Sequence, residues 1–439
     1  MLPLKTELET RWLLNQFTDE KLFELYDRGW QKFYFGMDPT ADSLHLGNFI
    51  NFINAIHLMR RGNICIPLVG GATGMIGDPG GRDSERTFLS PEQLDYNFNA
   101  IKIQVWWLLD NLRQVIWEDL HIAPIVNNKD FYVTMSFLDF LRDVGKYITV
   151  NNMMTKETVK KRIEDPEQSI SYTEFSYMLI QGYDFVRLYE DQWCKLQIAW
   201  SDQRWNITTG TELIRKKTDG EAYAFTCPLI LDSNGKKFGK SAGNAIWLDP
   251  KKTSHYQLYQ YFLNVTDEDV SRFLKLFTLL TMEEIDTIVT EHIQQPQLRI
   301  GQKALAYRVV QIIRGTDAAE QAQAITEFVF ANDKLQRLKE AESTHTGIKG
   351  WKEAEDFLNA LVEQVGGVQA NEGDTILDVV VSSWLAGSRG DAKKLIQQNG
   401  ISLNEVAVSD INRVIESSDW VNGVILLQKG KKNMRLIVK

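Results

Sequence analysis

A short apolar run, a polar turn and an amphipathic helix follow one another between residues 32 and 62, and that succession fixes the fold class. Lys32-Phe-Tyr-Phe-Gly-Met37 has the length and aromatic content of a strand and ends beside a glycine. Leu46 to Arg61 carries apolar residues at helical spacing and is closed by Gly62. A second strand, Ile64-Cys-Ile-Pro-Leu-Val69, starts at once and runs into the glycine-rich Gly70-Gly-Ala-Thr-Gly-Met-Ile-Gly-Asp-Pro-Gly-Gly81. The first 230 residues keep this alternation, the pattern of an open, Rossmann-like parallel α/β sheet. In such sheets ligands bind at the carboxyl ends of the strands, so the turn after Met37 and the loop after Val69 belong to one crevice.

The rest of the chain changes character in steps. Ser90-Pro-Glu-Gln93 starts a helix, with a hydroxyl cap and proline in the first turn. That helix, to about Leu112, and a helical stretch from Ser136 to Glu164 read as an insertion, placed at about 90–190 within a catalytic domain of residues 1–232. A last core strand is expected at Cys194 to Ala199. Residues 233–250 form a loop and linker, and 251–335 an all-α domain with leucine, phenylalanine and isoleucine at helical spacing. Residues 336–373 read as a linker that includes a helix, and 374–439 as a small α+β domain ending in a basic run, Lys429 to Lys439.

Composition narrows the function classes. A net charge of −9 argues against coating of nucleic acid in bulk, while leaving room for local basic patches. Cys65, Cys194 and Cys227 are scattered, without metal-ligand spacing, as expected of reduced thiols in the cytoplasm. The first ten residues hold no apolar signal core, and no apolar run approaches the ~20 residues of a membrane span.

Chemistry concentrates in two segments. Asp38-Pro-Thr-Ala-Asp-Ser-Leu-His-Leu-Gly-Asn48 lies at the mouth of the first helix, whose leading amides have no partner within it and form a positive edge for phosphate. Thr40 and His45 add donors there, Gly47 leaves room for a flat base or ribose, and Asn48 donates one more hydrogen bond. Alone, the segment reads equally well as a capped helix with a chance histidine. The second segment, Lys236-Lys-Phe-Gly-Lys-Ser241, follows the turn Asp232-Ser-Asn-Gly235. Lysine runs are usually solvated surface; here they flank Phe238 and Gly239, an apolar anchor and a hinge. Such a loop can clamp a pyrophosphate as charge builds in a transition state. The pair reads as a grip on a nucleoside triphosphate from two sides.

At these two segments the chain resembles the class I aminoacyl-tRNA synthetases, and within them the bacterial-type tyrosyl-tRNA synthetases. Val69-Gly-Gly-Ala-Thr-Gly-Met-Ile-Gly-Asp-Pro79, Tyr172-Thr-Glu-Phe-Ser-Tyr-Met-Leu-Ile-Gln-Gly-Tyr-Asp184 and Ser201-Asp-Gln203 extend the likeness. Gly387-Ser-Arg-Gly-Asp-Ala-Lys-Lys-Leu-Ile396 and Gly400-Ile-Ser-Leu-Asn404 are similar to a small ribosomal RNA-binding fold.

The resemblance implies a tyrosine–tRNA ligase that uses ATP, with magnesium on the phosphates, and tRNA(Tyr) as partner, working as a homodimer with an interface near residues 137–172. It assigns Tyr34 and Asp184 to the substrate phenol. An analogue lacking the hydroxyl would leave that buried pair unsatisfied, a rejection for which this family is a standing example. Asp78, Tyr177 and Gln181, with Thr73 beside them, would hold the α-amino group. Tyr177, Gln181 and Asp184 share one helix face by their spacing. Gly36, Asp38, Gly47, Asp202 and Gln203 would line the adenylate. Thr40, His45, Asn48, Lys237, Lys240 and Ser241 would stabilise the transition state, and Arg82 and Arg86 would meet pyrophosphate. Arg389, Lys393, Lys394 and the basic run from Lys429 would meet tRNA phosphates; for that run a merely soluble tail is the alternative.

One stretch departs from the family. Its members normally read Gly-Gly-Ser-Asp-Gln-Trp-Gly-Asn after the last core strand, whereas this chain reads Ala199-Trp-Ser-Asp-Gln-Arg-Trp-Asn206. Trp200 stands where glycine would let the backbone approach the ribose, so its indole must swing outward or fill the nucleotide pocket. Six of the twelve tryptophans lie between 106 and 205, and adjacent Trp106 and Trp107 cannot both face one side of a helix. Two readings follow: an active ligase, with activity reduced by Trp200, Arg204 and Trp205, or a divergent or engineered variant with impaired ATP use and a tryptophan-rich binding surface.

Overall fold

The computed structural model describes residues 2–78, 88–116, 118–165, 169–233, 235, 238–241, 244–340, 354–430 and 433–439. The chain forms two compact units, Met1–Lys252 with Val265–Leu305, and Thr253–Asn264 with Ala306–Lys439.

The first unit is built on a sheet of strands β1 (Gln16–Phe17), β2 (Lys32–Met37), β3 (Ile64–Val69), β4 (His121–Ile122), β5 (Val126–Asn127), β6 (Cys194–Trp200) and β7 (Tyr223–Cys227). Their order is β1-β7-β6-β2-β3-β4, with β5 also on β3, and every pairing but that of β1 is parallel. The chain moves outward from β2 to β3 on one side and from β6 to β7 on the other, so the order reverses between β2 and β6. That reversal opens the crevice where ligands of open α/β sheets sit.

The expected elements lie where periodicity placed them, with physical differences at their ends. The helix after β2 is Leu46–Met59; it buries Phe49, Phe52 and Ile53, and Phe52 meets Phe35 edge-on at 4.9 Å. The helix announced by Ser90 is Pro91–Ile116, capped by the Ser90 hydroxyl accepting from the Gln93 N–H at 3.2 Å. Cys194 to Ala199 is not the last core strand: β7 follows, a short run buried on both faces and therefore without the alternation that marks a strand in sequence.

Residues 251–335 are helical as expected, with Asp267–Phe277 and Met282–Gln294 belonging to the first unit rather than to a separate helical domain. The reason is aromatic: Phe277 stacks on Phe238 at 4.6 Å, and Phe273 meets the same ring edge-on at 4.8 Å. Arg11 adds hydrogen bonds to the carbonyls of Thr278 and Leu280 at 3.3 and 2.7 Å.

In the second unit, Gly367–Gln369 pairs in parallel with Asn433–Val438, which continues antiparallel through Val424–Lys429 and Ile401–Leu403 to Val406–Val408. Helix Ala354–Val365 buries Phe357 and Leu361 against Phe328, Leu426 and Leu436. The part of the expected linker after residue 354 is thus packed, because its apolar residues recur at helical spacing over a waiting sheet.

Candidate active site

Residues 34, 36 and 38 alternate onto one face of β2 and its extension, and all three border a cavity of about 180 Å³ at the switch point. From β6 the same cavity takes Gln197, in register with Tyr34, and Ala199, and from β3 Leu68, in register with Gly36. Helix Tyr172–Gln192 lays Tyr177, Gln181 and Asp184 across it, as their spacing predicts. Thr73, Asp78, Asn48, Asp202 and Gln203 complete the wall.

At the deep end, the Tyr34 hydroxyl is buried and has no hydrogen-bond partner among the described residues. The neighbouring Asp184 carboxylate accepts from Asn128 Nδ2 at 2.9 Å and from the Tyr132 hydroxyl at 2.8 Å. Burial pushes the Asp184 carboxyl up to about 7, against those two hydrogen bonds, which hold it down, while the Asp38 charge adds to the rise. Burial and the Asp184 charge likewise raise the Tyr34 phenol well above its ordinary value. Gln197 Oε1 and Gln181 Oε1 are also buried without partners among the described residues. Buried polar atoms are seldom left so, and several of them facing one cavity mark a place for a polar ligand.

Midway, Asp38 is held from two directions. Thr73 donates to its Oδ1 at 2.6 Å and Tyr177 donates to its Oδ2 at 2.8 Å. Gly70 makes this possible: a β-carbon there would lie 2.1 Å from the Thr73 hydroxyl and 2.2 Å from Asp38 Oδ1. Asp78 accepts from Gln203 Nε2, and Asn206 Nδ2 reaches Gln203 Oε1 at 2.9 Å. Two carboxylates, Asp38 and Asp78, therefore face a cavity that ends in a phenol and a third carboxyl, an arrangement suited to an ammonium group at one end and a hydroxyl at the other.

A second cavity, of about 350 Å³, is bordered by His45, Leu46, Gly47, Asn48, Asp202, Phe238, Gly239 and Ala245. Trp200, Asn48 and Asp202 border both cavities. His45 is the cap residue of Leu46–Met59, and Asn48 Oδ1 accepts its N–H at 3.0 Å, leaving Nδ2 as the donor Asn48 offers. The two signature segments are tied by main chain: Leu46 N–H to Ile246 carbonyl at 2.8 Å, and Ile246 N–H to Gly239 carbonyl at 2.9 Å. Phe238 anchors its loop through the aromatic stack already described.

Thr40 is exposed, its N–H turned back on the Asp38 carbonyl at 2.8 Å, and it borders neither cavity. Arg82, Arg86 and Lys237 lie outside the described residues, as do the side chains of Lys240 and Ser241. Arg389, Lys393 and Lys394 are exposed in the second unit, on helix Arg389–Gln397, with Arg389 paired to Asp378 at 2.8 Å. Of the basic run, residues 431 and 432 lie outside the described residues. Sequence reasoning missed Asn128, Tyr132, Gln197 and Asn206. Asn206 had a signal, being the last residue of a quoted motif; the other three had none.

The model of class I tRNA synthetases (W and Y) matches residues 28–331, and that of the tyrosine–tRNA ligase SYY-like C-terminal domain matches residues 357–437. A tyrosine–tRNA ligase of Bacteroides fragilis is 44% identical over 410 residues, 92% of each chain. One of Streptococcus pneumoniae is 42% identical over 429 residues, 97% of each chain. Among solved structures, a C-terminally truncated mitochondrial tyrosyl-tRNA synthetase of Aspergillus nidulans superposes with a TM-score of 0.68 at 29% identity, over 75% of this chain and 95% of that one.

Proposed function

Because this chain belongs to the class I tRNA synthetases, in their tyrosine-specific branch, we propose that the switch-point cavity holds L-tyrosine and the adjoining cavity ATP. The reaction is that of a tyrosine–tRNA ligase: tyrosine and ATP give tyrosyl-adenylate and pyrophosphate, and the acyl group passes to the terminal adenosine of tRNA. The observation that carries the placement of tyrosine is the unpartnered Tyr34 hydroxyl beside Asp184.

In this reading the substrate phenol satisfies Tyr34 and Asp184 together, and Asn128 and Tyr132 hold that carboxyl in place. Asp38, Asp78 and Gln181 receive the ammonium, with Thr73 and Tyr177 fixing the Asp38 oxygens. The tyrosine carboxylate then attacks the α-phosphorus in line and pyrophosphate leaves. No side chain needs to act as nucleophile or base; the chain contributes position and charge. His45, Asn48 and the leading amides of Leu46–Met59 face the phosphates, and Lys237, Lys240, Ser241, Arg82 and Arg86 are assigned the leaving pyrophosphate. Among the described residues no group of three metal-ligating side chains occurs. Magnesium, which the family implies, would be held by the triphosphate and would supply charge neutralisation there.

A homodimer is supported by exposed Phe137, Leu138, Leu141, Val150, Met154 and Tyr172, apolar side chains within one stretch of the first unit. Arg389, Lys393 and Lys394 are assigned to tRNA phosphates on their exposure and charge. A cytoplasmic setting is supported by three buried free cysteines, and no described helix is long and apolar enough to cross a membrane. Tyrosine-dependent ATP–pyrophosphate exchange tests the central claim. Exchange with tyrosine that is lost on Asp184→Ala is expected; exchange that ignores tyrosine or tolerates that change would overturn the placement.

A further inference from the structure

Helices in this chain close in a repeated way. After Leu46–Met59 the backbone turns left-handed at Gly62 (φ +79°), after Ile300–Arg314 at Gly315 (φ +89°), and after Ala354–Val365 at Gly366 (φ +106°). Arg204–Thr218 closes on Asp219 (φ +52°) and Arg389–Gln397 on Asn399 (φ +56°). Glycine, asparagine and aspartate are the residues that adopt this conformation at least cost.

Three other helices make the same turn on tryptophan. Leu4–Thr10 closes at Trp12 (φ +61°): its N–H reaches the Glu9 carbonyl at 3.0 Å, and the Leu13 N–H reaches the Leu8 carbonyl at 2.8 Å. This paired closure is the one that favours glycine at its left-handed position. Tyr172–Gln192 closes at Trp193 (φ +60°), with an N–H to the Tyr189 carbonyl at 3.0 Å. Ile376–Ser382 closes at Trp384 (φ +59°), with an N–H to the Val381 carbonyl at 3.0 Å. A fourth tryptophan, Trp30 (φ +61°), follows Gly29 in the turn before β2.

Among the described residues, three of these four indoles gain no polar or ring contact at their places. Trp12, Trp30, Trp193 and Trp384 are 58, 71, 73 and 86% exposed. Trp30 stacks on His121 at 5.1 Å; among the described residues the other three indoles make no hydrogen bond and no ring contact. Trp247 and Trp420 differ: Trp247 lies in a cation–π contact with Lys252 at 5.0 Å, and Trp420 (φ −76°) packs against the core of the second unit. One residue type thus recurs at strained, solvent-facing turns in both units, where a side chain serves no purpose. A bulky residue at positive φ is an outlier wherever it occurs, and four of one kind call for one cause.

We propose that the cell that makes this chain inserts glycine at positions 12, 30, 193 and 384, through a codon that one genetic code reads as tryptophan and another as glycine. UGA, the partner of the ordinary tryptophan codon UGG, has that property. The same cause covers Trp200 and Trp205, which fall on the glycines of the segment after β6. The consequence for catalysis rests on the function proposed above: the Trp200 indole borders both cavities, and glycine there joins the tyrosine and ATP sites into one trough.

The gene, the native protein and recombinant variants test this together. UGA is expected at positions 12, 30, 193, 200, 205 and 384, with UGG at 247 and 420, and tryptic peptides of the native protein should carry glycine masses at the first set. UGG at those positions, or tryptophan-containing native peptides, would overturn the proposal. In the recombinant tryptophan form, Trp12→Gly, Trp193→Gly and Trp384→Gly should each raise the melting temperature by about 2–4 °C. Trp420→Gly should lower it, and a fall in the first three as well would also overturn the proposal. These readouts involve no substrate, so they stand or fall apart from the ligase assignment. Trp200→Gly should raise ATP–pyrophosphate exchange at least tenfold.

Discussion

The backbone nitrogen of Gly47 lies against Gly239, so close that a β-carbon on residue 239 would come to 3.4 Å from it. This is where the two signature segments touch, and Gly239 meets the contact with φ +88°. Alanine at 239 would be strained by roughly 1–2 kcal/mol in the left-handed region before any contact is counted. The loop would relax away from the helix mouth that carries His45. Gly239→Ala is therefore expected to slow pyrophosphate exchange by about tenfold while leaving tyrosine affinity unchanged, since only the transition state needs the loop closed. Equilibrium binding of tyrosine beside exchange kinetics separates the two effects.

Tyr34 predicts an effect of the opposite kind. Its hydroxyl is buried without a partner, so Tyr34→Phe removes an unsatisfied group and should leave the unliganded protein as stable or slightly more so. Tyrosine affinity should then fall about three- to tenfold, the worth of one neutral hydrogen bond, and preference over phenylalanine should narrow. Melting curves and competitive binding of the two amino acids check both signs. A lower melting temperature would mean that the hydroxyl finds a partner in the free protein.

How much of this was legible beforehand follows from what each element's sequence carries. The strand–helix–strand start was readable because apolar spacing and Gly62 mark its boundaries, and the face shared by Tyr177, Gln181 and Asp184 was readable from spacing alone. β7 was not, because a strand buried on both faces shows no alternation. Asn128 and Tyr132 were invisible for another reason: they act through Asp184, and only the fold brings residues more than fifty positions apart to hydrogen-bonding distance. The grouping of Asp267–Phe277 with the first unit depends on Phe238, a residue that sequence marks as an anchor without saying what it anchors to.

Asp184 should make stability depend on pH. Its carboxyl sits at about 7 in the folded chain because burial outweighs the two hydrogen bonds, against about 3.9 in an unfolded one. The folded state therefore binds the extra proton between those values. The resulting stabilisation is fully present below pH ~4 and is lost as pH rises through 7. Melting temperature of the unliganded protein is expected to fall over that interval, and Asp184→Asn should flatten the slope. Tyrosine, as a donor to the ionised carboxylate, should bind more tightly as pH rises through 7.

The bracket on Asp38 separates positioning from contact. Tyr177→Phe removes one hydrogen bond to Asp38 without touching the phenol end, whereas Thr73 also accepts from Asn128 Nδ2 at 3.1 Å and so reaches that end. Tyr177→Phe is expected to weaken tyrosine binding by about five- to tenfold through a misplaced carboxylate, while selectivity for tyrosine over phenylalanine is kept. A loss of that selectivity would show that the two ends of the cavity are coupled.

Far from the cavity, Glu7 secures the helix that supports it. Its carboxylate lies 2.6 Å from Arg61, 3.0 Å from His57 Nδ1 and 3.4 Å from Arg11, all buried. Burial alone would raise the Glu7 carboxyl, but the hydrogen bonds and charges of His57 and Arg61 outweigh it and hold the group well below the usual carboxylate range. His57, on Leu46–Met59, is itself shifted down by burial against the Glu7 hydrogen bond, and Arg61, two residues past that helix, is the second tie to the amino-terminal segment. A depressed carboxyl stabilises the fold above its unfolded value of about 4.3, and that contribution drains away as pH falls through the folded value. Glu7→Gln leaves the Arg11 guanidinium buried without its counter-ion, while Arg61 keeps Asp27 at 2.9 Å, and should cost roughly 3–5 kcal/mol at pH 7. The gap between the two proteins should narrow steadily below pH ~4, and urea unfolding at pH 7 and pH 3 measures it. A gap independent of pH would mean that packing, not charge, makes Glu7 matter.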